Sequence, residues 1–461
     1  MNNFWDSNVW GSLSLIAVLL LSLLVANIIK KGIPFMRRSL IPTSVLGGIL
    51  LLIFAETYQA ITGQWVFDTA FFNGNGSATL EIVTYHALAL GFIASSFKAG
   101  GGQFGKKRAT EIFNSGVTTV ATYLLQAVLG LGITIAAAGV ISGFFPAAGI
   151  LLPFGYGQGT GQAMNYGMIY EGLGFSGGKS FGLTVAALGF LSASIGGVIH
   201  LNILRRKKKI DLEKIREGAI AMRQIQGENE VSMDGSMDKL TIQVALVIGA
   251  YMLAYLMMSL LGMLLPGMRS TIFGFNFLLG VIAATLIKSV LNFCNKKQII
   301  KRQYVNDFLM TRVSNFCFDV MVIAGIAAIR LSLLEQYWGV ILILGAVGMV
   351  TTYFYNLFIA KKLFPAYENE QFLAMYGMLT GTASTGIILL REIDGSFKTP
   401  AADNLVYQQF PAIVFGFPMM LLANMAPGKE LLTLGILIAF FVVMNLILFR
   451  SFLFKKKKKA D

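Results

Sequence analysis

Apolar residues run in blocks along nearly the whole chain, and the blocks are hydrophobic all round, unlike the one-sided helices of a soluble domain. They cover residues 12–29, 42–62, 82–97, 116–141, 180–203, 240–265, 271–293, 313–333, 338–360, 406–426 and 431–452. A helix needs about 20 such residues to cross a bilayer. The pattern therefore predicts about eleven membrane spans. Two segments between the blocks depart from it: "FPAAGILLPFGYGQGTGQAMNYG" after the fourth span, and "FPAYENEQFLAMYGMLTGTASTGIILLREIDG" after the ninth. Each opens on Phe-Pro-Ala and has an apolar stem too short to cross, followed by a turn rich in Gly, Thr and other small polar residues.

The ends of each such segment must lie on one face of the membrane, because the span before it and the span after it run in opposite directions. Both read as re-entrant loops, near 146–170 and 371–390, and such backbone is tolerated at membrane depth only inside protein or beside a water-filled cavity. Each loop follows four spans and precedes a fifth. An odd number of spans inverts the second half relative to the first. The expected fold class is thus an all-α polytopic membrane protein built of two inverted five-helix repeats, each with a re-entrant loop, plus an extra C-terminal helix. The expected organisation is an N-terminal repeat over 1–204, a basic cytoplasmic linker over 205–239, a C-terminal repeat over 240–426, and an additional transmembrane helix with a basic tail over 427–461.

Composition agrees: 55% of residues are hydrophobic and 13% charged, and mean hydropathy is +0.68. The net charge of +14 raises the question of nucleic acid, and its placement answers it. With the N-terminus outside and the C-terminus in the cytoplasm, all of the 37 Lys and Arg residues fall on the cytoplasmic side except Lys179, Arg269, Arg330 and Lys429. That is the positive-inside pattern of a multi-pass protein of the cell (inner) membrane, so no nucleic-acid partner is expected. The run Arg205–Lys209 and the tail Lys455–Lys459 read as anchors facing anionic lipid. The first span lacks a basic n-region and a small-residue cleavage pattern, so it reads as retained. Cys294 and Cys317 read as two buried free thiols, and with only His86 and His200 no zinc ligand set exists.

Inverted repeats interrupted at matching points are the sequence signature of a secondary transporter, whose substrate and ion sites lie near the bilayer midplane at the broken helices. In the first loop, Gly157, Gly159 and Gly161 expose backbone, while Gln158, Thr160, Gln162 and Asn165 offer neutral donors and acceptors. In the second, Thr380, Gly381, Thr382, Ser384 and Thr385 do the same. The competing reading of one Gly-rich turn as a plain external loop loses ground when two occur at matching points. A nucleotide-binding glycine pattern is a weak reading, since no strand precedes it and no nearby acidic ribose partner is evident. On the eighth span Asn315 and Asp319 share a face by their i, i+4 spacing, and Arg330 returns to within about 20° of it. Asp319, Thr160 and Thr385 are candidate ligands for sodium, the expected coupling ion, since hard cations prefer oxygen. Arg330 is either part of that face or snorkels to the outer surface. Arg391 is a candidate for a substrate carboxylate, or else pairs with Glu392 or Asp394 in a cytoplasmic turn. Glu56 and His86 read as interfacial or packed side chains. No nucleophile–base pair or Gly-x-Ser-x-Gly elbow supports an enzyme, and a channel gives no reason for inverted broken helices.

Gly155-Tyr156-Gly157-Gln158-Gly159-Thr160-Gly161 resembles the Gly-Gly-His-Gly-Thr-Gly-like turn of the glutamate:sodium symporter family. "IPTSVLGGILL" at 41–51 and "LGFIASSFKAGG" at 90–101 are similar to that family's second and third spans, and the likeness extends loosely over most of 12–426. The chain departs from the pattern at Gln158, where the family has His, in the second loop's Leu379–Gly386, and in its eleventh span. The resemblance implies a homodimer and sodium-coupled symport of a glutamate-like anion. Another carboxylate or amino acid, and proton coupling, stay open.

Overall fold

The computed structural model describes residues 4–97, 105–207, 237–266, 269–300, 302–394 and 398–453. Lys98, Lys208, Lys209, Lys301, most of the 205–239 linker and the Lys455–Lys459 tail lie outside the described residues. The long helices of the first part of the chain are α1 (Ser7–Gly32), α2 (Thr43–Thr62), α3 (Gly76–Phe97), α4 (Lys106–Ala138), α5 (Leu151–Gln158), α6 (Thr160–Glu171) and α7 (Gly178–Arg206). There follow α8 (Lys239–Leu264), α9 (Asn276–Lys296), α10 (Asp307–Ala327), α11 (Trp338–Leu363), α12 (Glu368–Leu379), α13 (Ala383–Arg391), α14 (Ala401–Tyr407), α15 (Gln409–Met425) and α16 (Glu430–Leu448). Among the described residues no β-strand forms.

Ten of these helices are long and apolar enough to cross a membrane, and the count becomes eleven if α14 and α15 make one span bent by 51°. The protein is a multi-pass α-helical membrane protein. The bend falls at Gln408, three residues before Pro411, where the missing N–H and the ring interrupt a straight helix. Helix ends follow local chemistry. Asp238 caps α8 by accepting from the Thr241 N–H at 3.0 Å, and Asn306 caps α10 by accepting from Leu309 at 2.7 Å. Cations close α1 (Lys30, Lys31), α7 (Arg205, Arg206) and α11 (Lys361, Lys362), where the helix dipole favours them.

The start of α4 reverses that logic, since Lys106, Lys107 and Arg108 sit in its first turn and each opposes the dipole by about 0.3–1 kcal/mol. Topology outweighs this cost, because basic residues at a span end set its orientation. Local pairing offsets part of it. Arg108 donates to Glu111 at 3.2 Å, to Asn404 Oδ1 at 2.6 Å and to the Pro400 carbonyl at 3.1 Å.

The chain forms two compact units, each from non-contiguous stretches. The first takes α1–α3, most of α6 and α8–α10; the second takes α4, α5, α7 and α11–α16. In the first unit, Leu15, Leu19, Leu51, Ala55, Ile323 and Ala327 bury against Trp65, Phe67 and Phe72. Here α2 approaches α10 so closely that a Cβ on Gly47 or Gly48 would strike Ile323 or Ile326. Since lipid is as apolar as these side chains, such close packing and not hydrophobic burial is what draws spans together. Leu13, Leu21, Leu24 and Ile28 of α1 stay exposed, as lipid-facing residues do.

In the second unit, α4 packs against the turn of 3₁₀ helix at Pro146–Ile150 that leads into α5, with Gly130 and Gly149 in backbone contact. Of the two cysteines, Cys317 is buried and Cys294 is only half-buried, a partial correction to the expectation for both. It follows from position, since Cys294 stands in the last turn of α9.

Candidate functional site

The first break is built by residues that fasten α5 and leave its end open. The Thr134 hydroxyl donates to the Pro146 carbonyl at 2.6 Å and accepts from the Gly149 N–H at 3.0 Å, so one side chain pins the chain where it leaves α4. Within α5, the Tyr156 hydroxyl donates to the Gly345 carbonyl at 2.6 Å and the Tyr123 hydroxyl to the Gly157 carbonyl at 3.0 Å. Gly157 has no room for a Cβ beside the Tyr123 ring. Gln158 is the first half-exposed residue after a fully buried run. The helix then stops at Gly159, whose φ of 80° and ψ of −171° lie where essentially only glycine goes. The break is therefore written into one residue.

Beyond it, α6 starts on Thr160, and the compact units divide at that bond. Thr160 is buried and its hydroxyl donates to the Met321 carbonyl of α10 at 3.1 Å; Gly161 lies against Leu88 and Met321. Asn165 Nδ2 donates to Gln162 Oε1 at 3.2 Å and to the Gly274 carbonyl at 3.4 Å. This leaves two buried polar atoms without a partner on neighbouring turns, the Gln162 Nε2 donor and the Asn165 Oδ1 acceptor. A ligand carrying both an acceptor and a donor matches that pair.

Asn315 and Asp319 lie on α10, the first half-buried and the second exposed, and the Ser44 hydroxyl hydrogen-bonds the Asp319 carboxylate. Thr160 meets the same helix two residues on, about 200° around it. Asp319 and Met321, the residue that Thr160 touches, therefore face opposite ways.

The second break lies within the second unit. α12 ends at Leu379, Thr380 leaves the helical region at φ −122° and ψ 1°, Thr382 is extended, and α13 begins at Ala383. Thr380 returns its hydroxyl to the Tyr376 carbonyl at 2.6 Å, and the Thr382 and Thr385 hydroxyls are 3.4 Å apart. A Cβ on Gly381 would sit 2.9 Å from Thr385 Oγ1. The two limbs touch where a Cβ on Gly377 would lie 2.8 Å from Gly386 Cα. Thr380, Gly381, Thr382 and Thr385 are buried together, while Ser384 is half-exposed. Arg391 is the exposed last residue of α13. Asp394 accepts from Lys398 and Thr399 of its own turn, at 2.6–2.8 Å.

Arg330 belongs to neither break. Its guanidinium donates to Asp68 at 2.6 Å and to Ser77 Oγ at 2.9 Å, and lies 5.5 Å from the Trp65 ring centroid. It ties the chain just past α10 to Asp68 in the connection between α2 and α3 and to Ser77 at the start of α3; since α10 ends at Ala327, Arg330 does not share a helix face with Asp319, contrary to the expectation from spacing. Glu56 accepts from the Leu331 N–H at 2.8 Å, and His86 bonds the Tyr251 hydroxyl at 2.7 Å. Arg330→Ala should lower stability by about 1 kcal/mol, the upper range for a partly exposed pair. Thermal unfolding in detergent measures this, and an unchanged midpoint would remove the anchor.

A buried polar cluster in the second unit escaped the sequence reading. Ser115 donates to Gln408 at 2.6 Å, Gln371 to Ser115 at 2.9 Å, Asn404 to Gln371 at 2.8 Å, and Tyr367 to Glu111 at 3.0 Å. Burial pushes the Tyr367 phenol up to about 12, so it stays a donor over the physiological range. Through these bonds α12, the first limb of the second break, is held to α4 and α14. Among the described residues no group of three His, Cys, Asp or Glu side chains is placed to hold a metal ion. No family model matches the chain, and no curated protein matches it.

Proposed function

We propose that the protein is a sodium-coupled secondary transporter that takes up an anionic amino acid, of which glutamate is the first candidate, by alternating access. The reading is carried by one observation, the recurrence of element order along the chain. Three long helices, α1–α3, are followed by α4, the broken pair α5–α6 and α7; α8–α10 are followed by α11, the broken pair α12–α13 and the bent α14–α15. Even the short helices Pro34–Arg38 and Arg269–Gly274 occupy the same place after α1 and α8. Such a repetition fits two inverted repeats with a re-entrant loop in each, and α16 then stands outside them.

The grouping of helices supports it further, since each compact unit takes corresponding helices from both halves. Gln162 and Asn165 add the chemistry: a substrate with a carboxylate and an ammonium group presents an acceptor and a donor together. Sodium is preferred over protons because the residues at the two breaks themselves offer neutral oxygens. The test is uptake into proteoliposomes over a panel of amino and dicarboxylic acids. Glutamate should accumulate when an inward sodium gradient is imposed and continue to do so when the proton gradient is collapsed. Full transport on a proton gradient alone would refute the coupling.

A further inference from the structure

We propose that Gln126 and Thr122 of α4, with Thr352 and Asn356 of α11, form a binding site for a monovalent cation. This rests on the sodium-coupled reading above and places an ion site at residues outside both breaks. Each helix contributes an i, i+4 polar pair, so the two residues of a pair share a face. All four are buried.

Both carboxamides are anchored on one residue. Gln126 Nε2 donates to Thr352 Oγ1 at 2.8 Å and to the Leu379 carbonyl at 3.0 Å. Asn356 Nδ2 donates to the Thr352 carbonyl at 3.0 Å and to Thr122 Oγ1 at 3.4 Å. The backbone carbonyls settle which end of each amide is nitrogen, since an amide oxygen facing a carbonyl would be repelled. The oxygens Gln126 Oε1 and Asn356 Oδ1 are thereby turned away from these bonds, and both are buried without a hydrogen-bond partner. Each lies one amide width from a nitrogen bonded to Thr352.

The kind of ligand follows from counting donors. Both hydrogens of each amide are spent, and the Thr122 hydroxyl gives its own to the Thr118 carbonyl at 2.8 Å. Only the Thr352 hydroxyl keeps one. What remains is acceptors, and a buried acceptor left alone costs about 1–3 kcal/mol. A buried water, which makes about 3 hydrogen bonds, would also satisfy both oxygens, donating to each and accepting from Thr352, and the cation titration below separates it from an ion. A hard cation needs oxygens alone. With no carboxylate in the set, a single positive charge is the most that neutral dipoles can hold against its loss of hydration. The location is informative too, because Gln126 also holds the Leu379 carbonyl, the last of α12 before the second break. Filling the site would stiffen the attachment of that break to α4.

The test uses the full chain, purified in detergent. Its thermal midpoint is titrated with sodium, potassium and choline chlorides at constant ionic strength. Sodium or potassium, but not choline, should raise the wild-type midpoint saturably. Gln126→Leu and Asn356→Leu should each shift the half-saturating concentration by at least tenfold. Asn356→Asp keeps the size and adds a negative charge, so it should bind the cation at least as tightly as wild type; it decides the matter if the leucine variants do not fold. Wild-type half-saturation in folded leucine variants, or loss of the response in Asn356→Asp, overturns the site. Sodium-driven uptake that persists alongside such a result leaves the transport reading standing. A shifted titration with uptake indifferent to sodium does the reverse.

Discussion

Gly149→Val should leave little or no folded protein. The β-carbon of any larger residue at this position would enter the Gly130 carbonyl group and come 2.6 Å from the Leu131 nitrogen, and a Cβ on Gly130 would in turn meet the Gly149 carbonyl. Both neighbours are backbone, so no side chain can swing aside. Nor can the segment back away, because Thr134 of α4 holds both the Pro146 carbonyl and the Gly149 N–H itself. Overpacking a well-packed core costs about 1–3 kcal/mol even where side chains can adjust. Prying two backbones apart should exceed that and consume much of a total stability of about 5–15 kcal/mol. Gly132 provides the control on the same helix, since a Cβ there meets nothing within 4 Å. Gly132→Val should be recovered at normal yield with its midpoint nearly unchanged. A monodisperse Gly149→Val protein with the wild-type midpoint would show that α4 and the start of α5 are not in contact.

The spans were legible in the chain because length and hydropathy are local properties. All eleven apolar blocks overlap helices, and the two breaks fall where glycine and threonine interrupt the pattern. Where boundaries moved, charge or proline accounts for it. The fourth helix begins at Lys106 and not at 116, because a charged turn at a membrane surface can still be helical once Glu111 and Asn404 take up Arg108. The tenth bends at Gln408, three residues before Pro411. Partners far apart in sequence were not legible. The phase of Arg330 with Asp319 assumes an unbroken eighth helix, but α10 ends at Ala327, and Arg330 beyond it makes its salt bridge to Asp68, 262 residues away. Gln126 and Asn356 are unremarkable singly, and only their mutual placement leaves two oxygens unpaired. A search for i, i+4 polar pairs, the rule that selected Asn315 and Asp319, would have picked out Thr122–Gln126 and Thr352–Asn356 as well.

Gly159 carries the second large effect. The sequence gives two reasons for glycine in "GYGQGTG": close approach of a ligand to bare backbone, and freedom of the backbone itself. The second is now specific. At φ 80° and ψ −171° any β-carbon clashes with its own chain, at a cost of about 1–3 kcal/mol. The chain would relieve that strain by rotating the bond on which α5 hands over to α6, displacing Thr160 from the Met321 carbonyl and the Gln162–Asn165 pair with it. Gly159→Val and Gly159→Ala should therefore both reduce sodium-driven uptake more than tenfold in proteoliposomes while the protein still folds. Gly159→Asn should do no better, because asparagine tolerates the left-handed helical region and not this extended ψ. If a ligand's need for space were the reason, the small alanine should retain much more uptake than valine or asparagine. Thr160→Ala, which loses one hydrogen bond of about 1 kcal/mol and leaves the backbone unstrained, should fall between wild type and the Gly159 variants. Wild-type uptake by Gly159→Ala would mean that the break between α5 and α6 does not depend on this conformation.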